Sequence, residues 1–153
     1  MLTLVILASI AYHALAEMNP DQDLINKGLK FTAECMSKSA IKYDQCLEMF
    51  KDGIDLTDKK YDGCKCVINC VAKKFHVITK DGSYDLPGIE GYIQNLKTPA
   101  WKEEAKRVFP LCKDETSGAN GCEAGFNLFS CAMRNSDKAK SLTMKLVKTL
   151  SGA

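Results

Sequence analysis

Residues Tyr61–Ile78 read YDGCKCVINCVAKKFHVI, and the interpretation of this stretch decides the fold. Three of the eight cysteines, Cys64, Cys66 and Cys70, fall within seven positions of each other. Around them Tyr61, Cys64, Ile68, Val71, Phe75 and Ile78 recur at steps of three and four, the period of an amphipathic helix turned toward a core. On such a helix Cys66 and Cys70 lie one turn apart on the same side, with Cβ atoms about 5–6 Å from each other. A disulfide needs about 3.5–4.5 Å between Cβ atoms. The two therefore cannot bond to each other while the helix persists, and each must reach a different neighbour. Cys64 stands about 200° around the axis from Cys66 and points to yet another. The stretch predicts one helix stapled to several others.

The 153 residues predict a single domain behind a leader. Leu2–Ala16 is a mostly apolar run broken by Thr3, Ser9 and His13, closing on Ala14-Leu15-Ala16 before the charged Glu17. It reads as a signal peptide over residues 1–16, although no Lys or Arg precedes its apolar part. It is shorter than the ~20 residues a membrane span needs, so the chain from Glu17 to Ala153 is expected to be a secreted, soluble helical domain with no transmembrane segment. All eight cysteines lie in that part, and an even count in a secreted chain argues for four disulfides. Zinc is the competing use of cysteine, but there is no C-x-x-C pair and His76 is the only histidine after the leader. No metal or other cofactor is expected. The formal charge of +2 is small and the lysines are scattered, which argues against nucleic acid or an anionic membrane as partner.

Helical periodicity continues along the rest of the chain. Asn19-Pro20-Asp21 opens a helix to about Met36, with Leu24, Gly28, Phe31 and Cys35 on one stripe. Tyr43, Cys46, Leu47 and Phe50 make a short second stripe, and Leu56–Asp58 leads into the central helix. Thr79–Leu86, with Asp81-Gly82, reads as a turn, either a short hairpin or an irregular loop. Asp85-Leu86-Pro87 and Thr98-Pro99 each open a further helix, and Asp114–Gly121 is a polar loop. Cys122, Phe126, Phe129 and Met133 stripe the next helix, which ends near Asn135, and Ser136-Asp137 caps a last segment through Leu150. Alternation of the strand type is nearly absent. The expected fold is all-α, a compact bundle of six to seven short helices stapled by interlocked disulfides.

Cys122 and Cys131, nine positions apart, point about 180° away from each other on one helix and so also need separate partners. Eight cysteines allow 105 pairings, and spacing alone does not choose among them. The gaps between Cys35, Cys66, Cys70, Cys112, Cys122 and Cys131 are 30, 3, 41, 9 and 8 residues. This pattern resembles that of the insect odorant-binding proteins (the pheromone and general odorant-binding family), and the likeness extends over nearly all of the chain after the leader. Ala33-Glu34-Cys35, Cys70-Val71-Ala72-Lys73-Lys74 and the Gly82 turn fit it as well. The resemblance implies the pairing Cys35–Cys70, Cys66–Cys122 and Cys112–Cys131. Cys46 and Cys64 are additional to the pattern. If the segment after Cys35 runs antiparallel to the central helix, Cys46 meets the near end of that helix at Cys64, which predicts a fourth bridge, Cys46–Cys64. The cysteines near Cys35 and Cys46 are also similar to those of short salivary proteins of the same fold.

A chain of this length has enough core to fold without disulfides. Four are surplus unless the core is left incomplete, although extracellular durability alone also explains them. A ligand pocket of about 300 Å³, at about 24 cal/mol per Å³ of void, costs on the order of 7 kcal/mol. Four bridges at roughly 2–4 kcal/mol each are on the scale to offset that. The candidate lining of an internal apolar cavity is the set of inward stripes: Phe50, Leu56, Val67, Val71, Phe75, Ile89, Tyr92, Ile93, Trp101, Val108, Phe126, Phe129 and Met133. Tyr84 and Tyr92 can offer a hydroxyl to an alcohol, aldehyde or ester, and Leu146, with Leu142, Met144 and Leu150, can form a lid or wall.

The resemblance implies a non-catalytic carrier of a small hydrophobic ligand, odorant- or pheromone-like, released at a membrane receptor and acting as a monomer or weak homodimer. A non-olfactory secreted relative (salivary, venom or reproductive-fluid) and a disulfide-rich protein with a filled core are the alternatives. An enzyme is not expected, since a Ser-His or Cys-His site would have to be built on His76 alone with every cysteine committed. Plant lipid-transfer proteins share Cys64-Lys65-Cys66, but their adjacent Cys-Cys is absent.

Overall fold

The computed structural model describes residues 22–51, 53–116 and 121–151. The run Met1–Ala16, expected to be a leader, and the opening Asn19-Pro20-Asp21 lie outside them, as does the side chain of Leu150. Within the described residues seven α-helices follow one another: α1 (Gln22–Ser37), α2 (Tyr43–Glu48), α3 (Asp62–Lys74), α4 (Leu86–Asn95), α5 (Pro99–Cys112), α6 (Glu123–Asn135) and α7 (Asp137–Ser151). Single 3₁₀ turns at Lys59–Tyr61 and Lys113–Thr116 precede α3 and follow α5. The fold is all-α.

α3 packs most extensively on α6 and next on α1, and its cysteines point three ways. The disulfides are Cys35–Cys70 to α1, Cys46–Cys64 to α2 and Cys66–Cys122 to the start of α6, while Cys112–Cys131 joins α5 to α6. These are the pairs given above by the resemblance and by the antiparallel argument for Cys46. No cysteine is left free. Cys66–Cys122 crosses both Cys35–Cys70 and Cys112–Cys131 along the chain, whereas Cys46–Cys64 is nested within the Cys35–Cys70 loop.

Local chemistry sets where the helices begin and end. The Asp85 carboxylate accepts from the Gly88 N–H at 3.0 Å, and Pro87 sits in the first turn of α4, where its missing N–H costs nothing. α6 has no capping side chain of its own. Its Gly125 N–H is satisfied instead by Asn69 Oδ1 of α3, 2.9 Å away in the buried seam between the two helices. That seam is closed by the absence of a side chain at Gly125, since a Cβ there would stand 2.5 Å from the Asn69 Cα.

The central helix is shorter than its apolar stripe. It stops at Lys74, and His76 takes the left-handed conformation with φ 56°. The His76 N–H then donates to the Lys73 carbonyl and the Val77 N–H to the Ala72 carbonyl, each at 3.1 Å, which satisfies the last turn in the Schellman pattern. Val77 and Ala72 pack in the same core cluster, the apolar contact that accompanies that pattern. Ile78 therefore leaves the helix and forms a single antiparallel bridge with Tyr84 around the Gly82 turn.

The interior holds two packed clusters. One gathers Ile78, Ile89, Val108 and Leu128 about the Cys112–Cys131 bridge, and the other gathers Met49, Tyr61 and Cys64. Open space lies beside both.

Candidate ligand-binding site

Three hollows open between the described helices: one of about 740 Å³ bordered by the charged Asp23, Lys27, Lys74 and Lys97, and two that are more apolar. The larger of these two, of about 630 Å³, is bordered by Leu24 and Ile25 of α1, Tyr92 of α4, Trp101, Val108 and Phe109 of α5, Phe129 and Met133 of α6, and Leu142 of α7. The smaller, of about 230 Å³, is bordered by Leu29 and Met36 of α1, Tyr43 and Leu47 of α2, Val67 and Val71 of α3, and Leu146 and Val147 of α7. Phe129 and Thr143 border both, so the Phe129 ring stands where one hollow ends and the other begins. It packs edge-on to Phe50, with ring centroids 6.1 Å apart. A second run of edge-on rings, Phe31 to Phe75 to Tyr92 to Phe109, links α1, the end of α3, α4 and α5 at 5.0 to 6.1 Å. Such T-shaped pairs add to the stiffness of a wall without filling the space beside it.

The two hollows differ in charge. Glu104, Asp137, Lys138 and Lys145 stand at the border of the larger one. There Glu104 Oε1 accepts from the Ser136 hydroxyl at 2.6 Å and from Arg107 Nη2 at 2.8 Å. The hydrogen bond from Arg107, followed by that from Ser136, holds the Glu104 carboxyl below the usual carboxylate range. Ser136 Oγ in turn accepts from the Ala139 N–H at 3.0 Å, capping α7, and Arg107 donates to the Asn135 carbonyl at 2.7 Å. One carboxylate on α5 thus anchors the junction between α6 and α7. Among the described residues no Lys, Arg, His, Asp or Glu borders the smaller hollow.

Of the residues singled out from sequence, Tyr92, Trp101, Val108, Phe129 and Met133 border the larger hollow. Phe50, Val67, Val71, Phe75, Phe129 and Leu146 border the smaller. Five others border neither of the two. Ile89 is fully buried in the first cluster, with Tyr84 and Ile93 packed against it, and Leu56 and Phe126 pack against the second cluster. Leu24, Ile25, Leu29 and Met36 of α1 and Tyr43 of α2 also border the hollows and are not among the sequence candidates. Gly28, in the α1 stripe, was the available signal, because a helix face that lacks a side chain leaves room beside it. Leu142 and Leu146 place α7 as a wall of both hollows, while Met144 is half-buried and borders neither. Among the described residues no three His, Cys, Asp or Glu side chains are grouped to hold a metal ion, and no helix is long and apolar enough to cross a membrane.

The fold has counterparts among known proteins. The family model of the PBP/GOBP family matches residues 18–135. The chain belongs to the PBP/GOBP family. General odorant-binding protein 19a of Drosophila melanogaster is 26% identical over 110 residues, which is 65% of this chain and 75% of that protein. Two crystal structures share the fold. Odorant binding protein 4 of Chrysopa pallens superposes with a TM-score of 0.64 at 22% identity, over 80% of this chain and 96% of that one. The odorant binding protein lmigOBP1 of Locusta migratoria superposes with a TM-score of 0.63 at 21% identity, over 82% and 91%. For this PBP/GOBP chain the match ends at Asn135, so α7 lies beyond it.

Proposed function

We propose that this protein is a secreted, non-catalytic carrier that takes a small hydrophobic molecule into the hollows bordered by α1, α3, α5, α6 and α7 and conveys it through an extracellular fluid. The observation that carries the reading is the pair of apolar hollows left open inside a bundle braced by four disulfides, in a chain of the odorant-binding family. Transfer of an apolar guest from water gains about 25 cal/mol per Å² of surface buried, and no covalent step is needed. The leader-like run Met1–Ala16 and the fully paired cysteines support an oxidising, extracellular setting. Release at a membrane receptor and a monomeric or weakly dimeric state belong to the same reading.

The test is uptake of a fluorescent naphthylamine probe by the purified, oxidised protein. Saturable enhancement, reversed by apolar competitors and accompanied by no turnover of ester or glycoside substrates, is the expected result. A protein that leaves the probe dark at high micromolar concentration overturns the reading.

A further inference from the structure

The smaller hollow is apolar on nearly every side, with one buried polar group left over. Tyr43, the first residue of α2, contributes to its wall, and the Tyr43 Oη is closed off from solvent without a hydrogen-bond partner. Burial pushes the phenol above its ordinary range. The other hydroxyls on this wall are accounted for. Thr32 donates to the Gly28 carbonyl at 2.8 Å, and Thr143, shared with the larger hollow, is only half-buried. Among the described residues the Thr98 hydroxyl is the other buried side-chain oxygen without a partner, and Thr98 borders neither hollow. An unpaired buried donor is uncommon in folded proteins and calls for a partner absent from the chain itself.

We propose that the smaller hollow takes a compact, neutral guest of about nine non-hydrogen atoms bearing one acceptor oxygen, a ketone, aldehyde, ester or alcohol, to which the Tyr43 hydroxyl donates. This rests on the carrier reading above and names the ligand class for one part of that site. The size follows from scale: benzene occupies an engineered apolar cavity of about 150 Å³, or about 25 Å³ per non-hydrogen atom, and this hollow measures about 230 Å³. Neutrality follows from the wall, because a carboxylate guest would be stripped of water with no cation beside it among the described residues. Since the hydroxyl is covered in the empty protein, it turns to the guest as the hollow fills. A hydrocarbon of equal size leaves it unpaired.

Acetophenone, isopropylbenzene and benzoate each have nine non-hydrogen atoms and nearly one shape. Titration calorimetry of the full oxidised protein should give acetophenone about tenfold tighter than isopropylbenzene, with benzoate the weakest. Tyr43→Phe should erase the ketone preference, and should keep or raise the urea midpoint, since it removes an unpaired hydroxyl. Thr98→Val, at the other unpaired hydroxyl, should leave the preference intact. Equal affinities for ketone and hydrocarbon in the unmodified protein, or a ketone preference that survives Tyr43→Phe, would overturn the assignment. Uptake of the naphthylamine probe with none of the three small guests overturns this assignment alone, whereas failure of the probe as well overturns the carrier reading beneath it.

Discussion

Replacing Gly125 with alanine puts a methyl carbon into the seam between α3 and α6. It would stand 2.5 Å from the Asn69 Cα, 2.9 Å from Asn69 Oδ1 and 3.1 Å from the Ala72 Cβ. Carbon atoms rest about 3.5–4.0 Å apart, and a backbone Cα cannot swing aside, so the helices must part by about 1 Å. The Cys66–Cys122 bridge, whose Cα atoms are only 4.4 Å apart, resists that movement from its position three residues away in each helix. Parting also breaks the buried bond from the Gly125 N–H to Asn69. Overpacking costs about 1–3 kcal/mol and the stranded buried groups about 1–3 kcal/mol, against a gain of about 1 kcal/mol for alanine over glycine in a helix. The net loss is about 1–5 kcal/mol, centred near 3 kcal/mol. With urea slopes of about 1–3 kcal/mol per M, the unfolding midpoint of the oxidised protein should fall by about 1–2 M. Val67 and Val71 on one side of the seam and Phe129 and Met133 on the other border the hollows, so affinity for the apolar probe should fall as well. Gly91→Ala, in α4 with open space at the added carbon, is the control and should hold or raise the midpoint. A Gly125→Ala midpoint within about 0.3 M of the parent at unchanged slope would refute this account of the seam.

Phe129→Ala joins the two hollows, and should lower stability by about 2–4 kcal/mol, below the full core value because the ring is only half-buried. Probe displacement by a homologous alcohol series should shift toward longer chains, and an unaltered length preference would argue that the ring separates nothing. Ending the chain after Asn135 removes Leu142 and Leu146 from the walls. Apolar-probe affinity should drop at least about tenfold, the scale of one leucine side chain's burial, with faster release in stopped flow; equal affinity and release would count against α7 as a wall. The folded Glu104 carboxyl is held below its ordinary pKa of about 4.3. Its stabilisation is therefore present above that value and lost as pH falls through the lower folded value. Urea midpoints measured from pH 7 down to pH 3 should show this acid loss, and Glu104→Gln should flatten it; parallel profiles would show that the carboxylate anchors nothing.

Much of this architecture was legible from residue spacing, and the exceptions have physical causes. The cysteine triplet on α3 required outward bridges on helical geometry alone, and Ser136 marked the break before α7 because its hydroxyl can cap the helix that follows. The end of α3 was not legible, since the apolar stripe runs on through Phe75 to Ile78 while the left-handed residue that stops the helix is a histidine rather than a glycine. Periodicity shows which face of a helix turns inward, but not whether the opposite face fills the space. Ile89 and Val108 lie on equally apolar stripes, yet Ile89 is packed solid while Val108 also borders a hollow. In the sequence Tyr43 belongs to an apolar stripe; that its hydroxyl is buried without a partner depends on how α1, α2 and α7 meet, which no single segment encodes.

Two of the seven described helices, α4 and α7, carry no cysteine, and both border the larger hollow across from α5 and α6, which Cys112–Cys131 clamps together. On the carrier reading proposed above, a guest entering beside either of them would displace only van der Waals contacts and a few hydrogen bonds, and no covalent tie would have to stretch. Loading is thereby separated from unfolding: backbone amides of α4 and α7 should exchange with deuterium through small, frequent openings, while those of α3 and α6 wait for the whole chain to come apart.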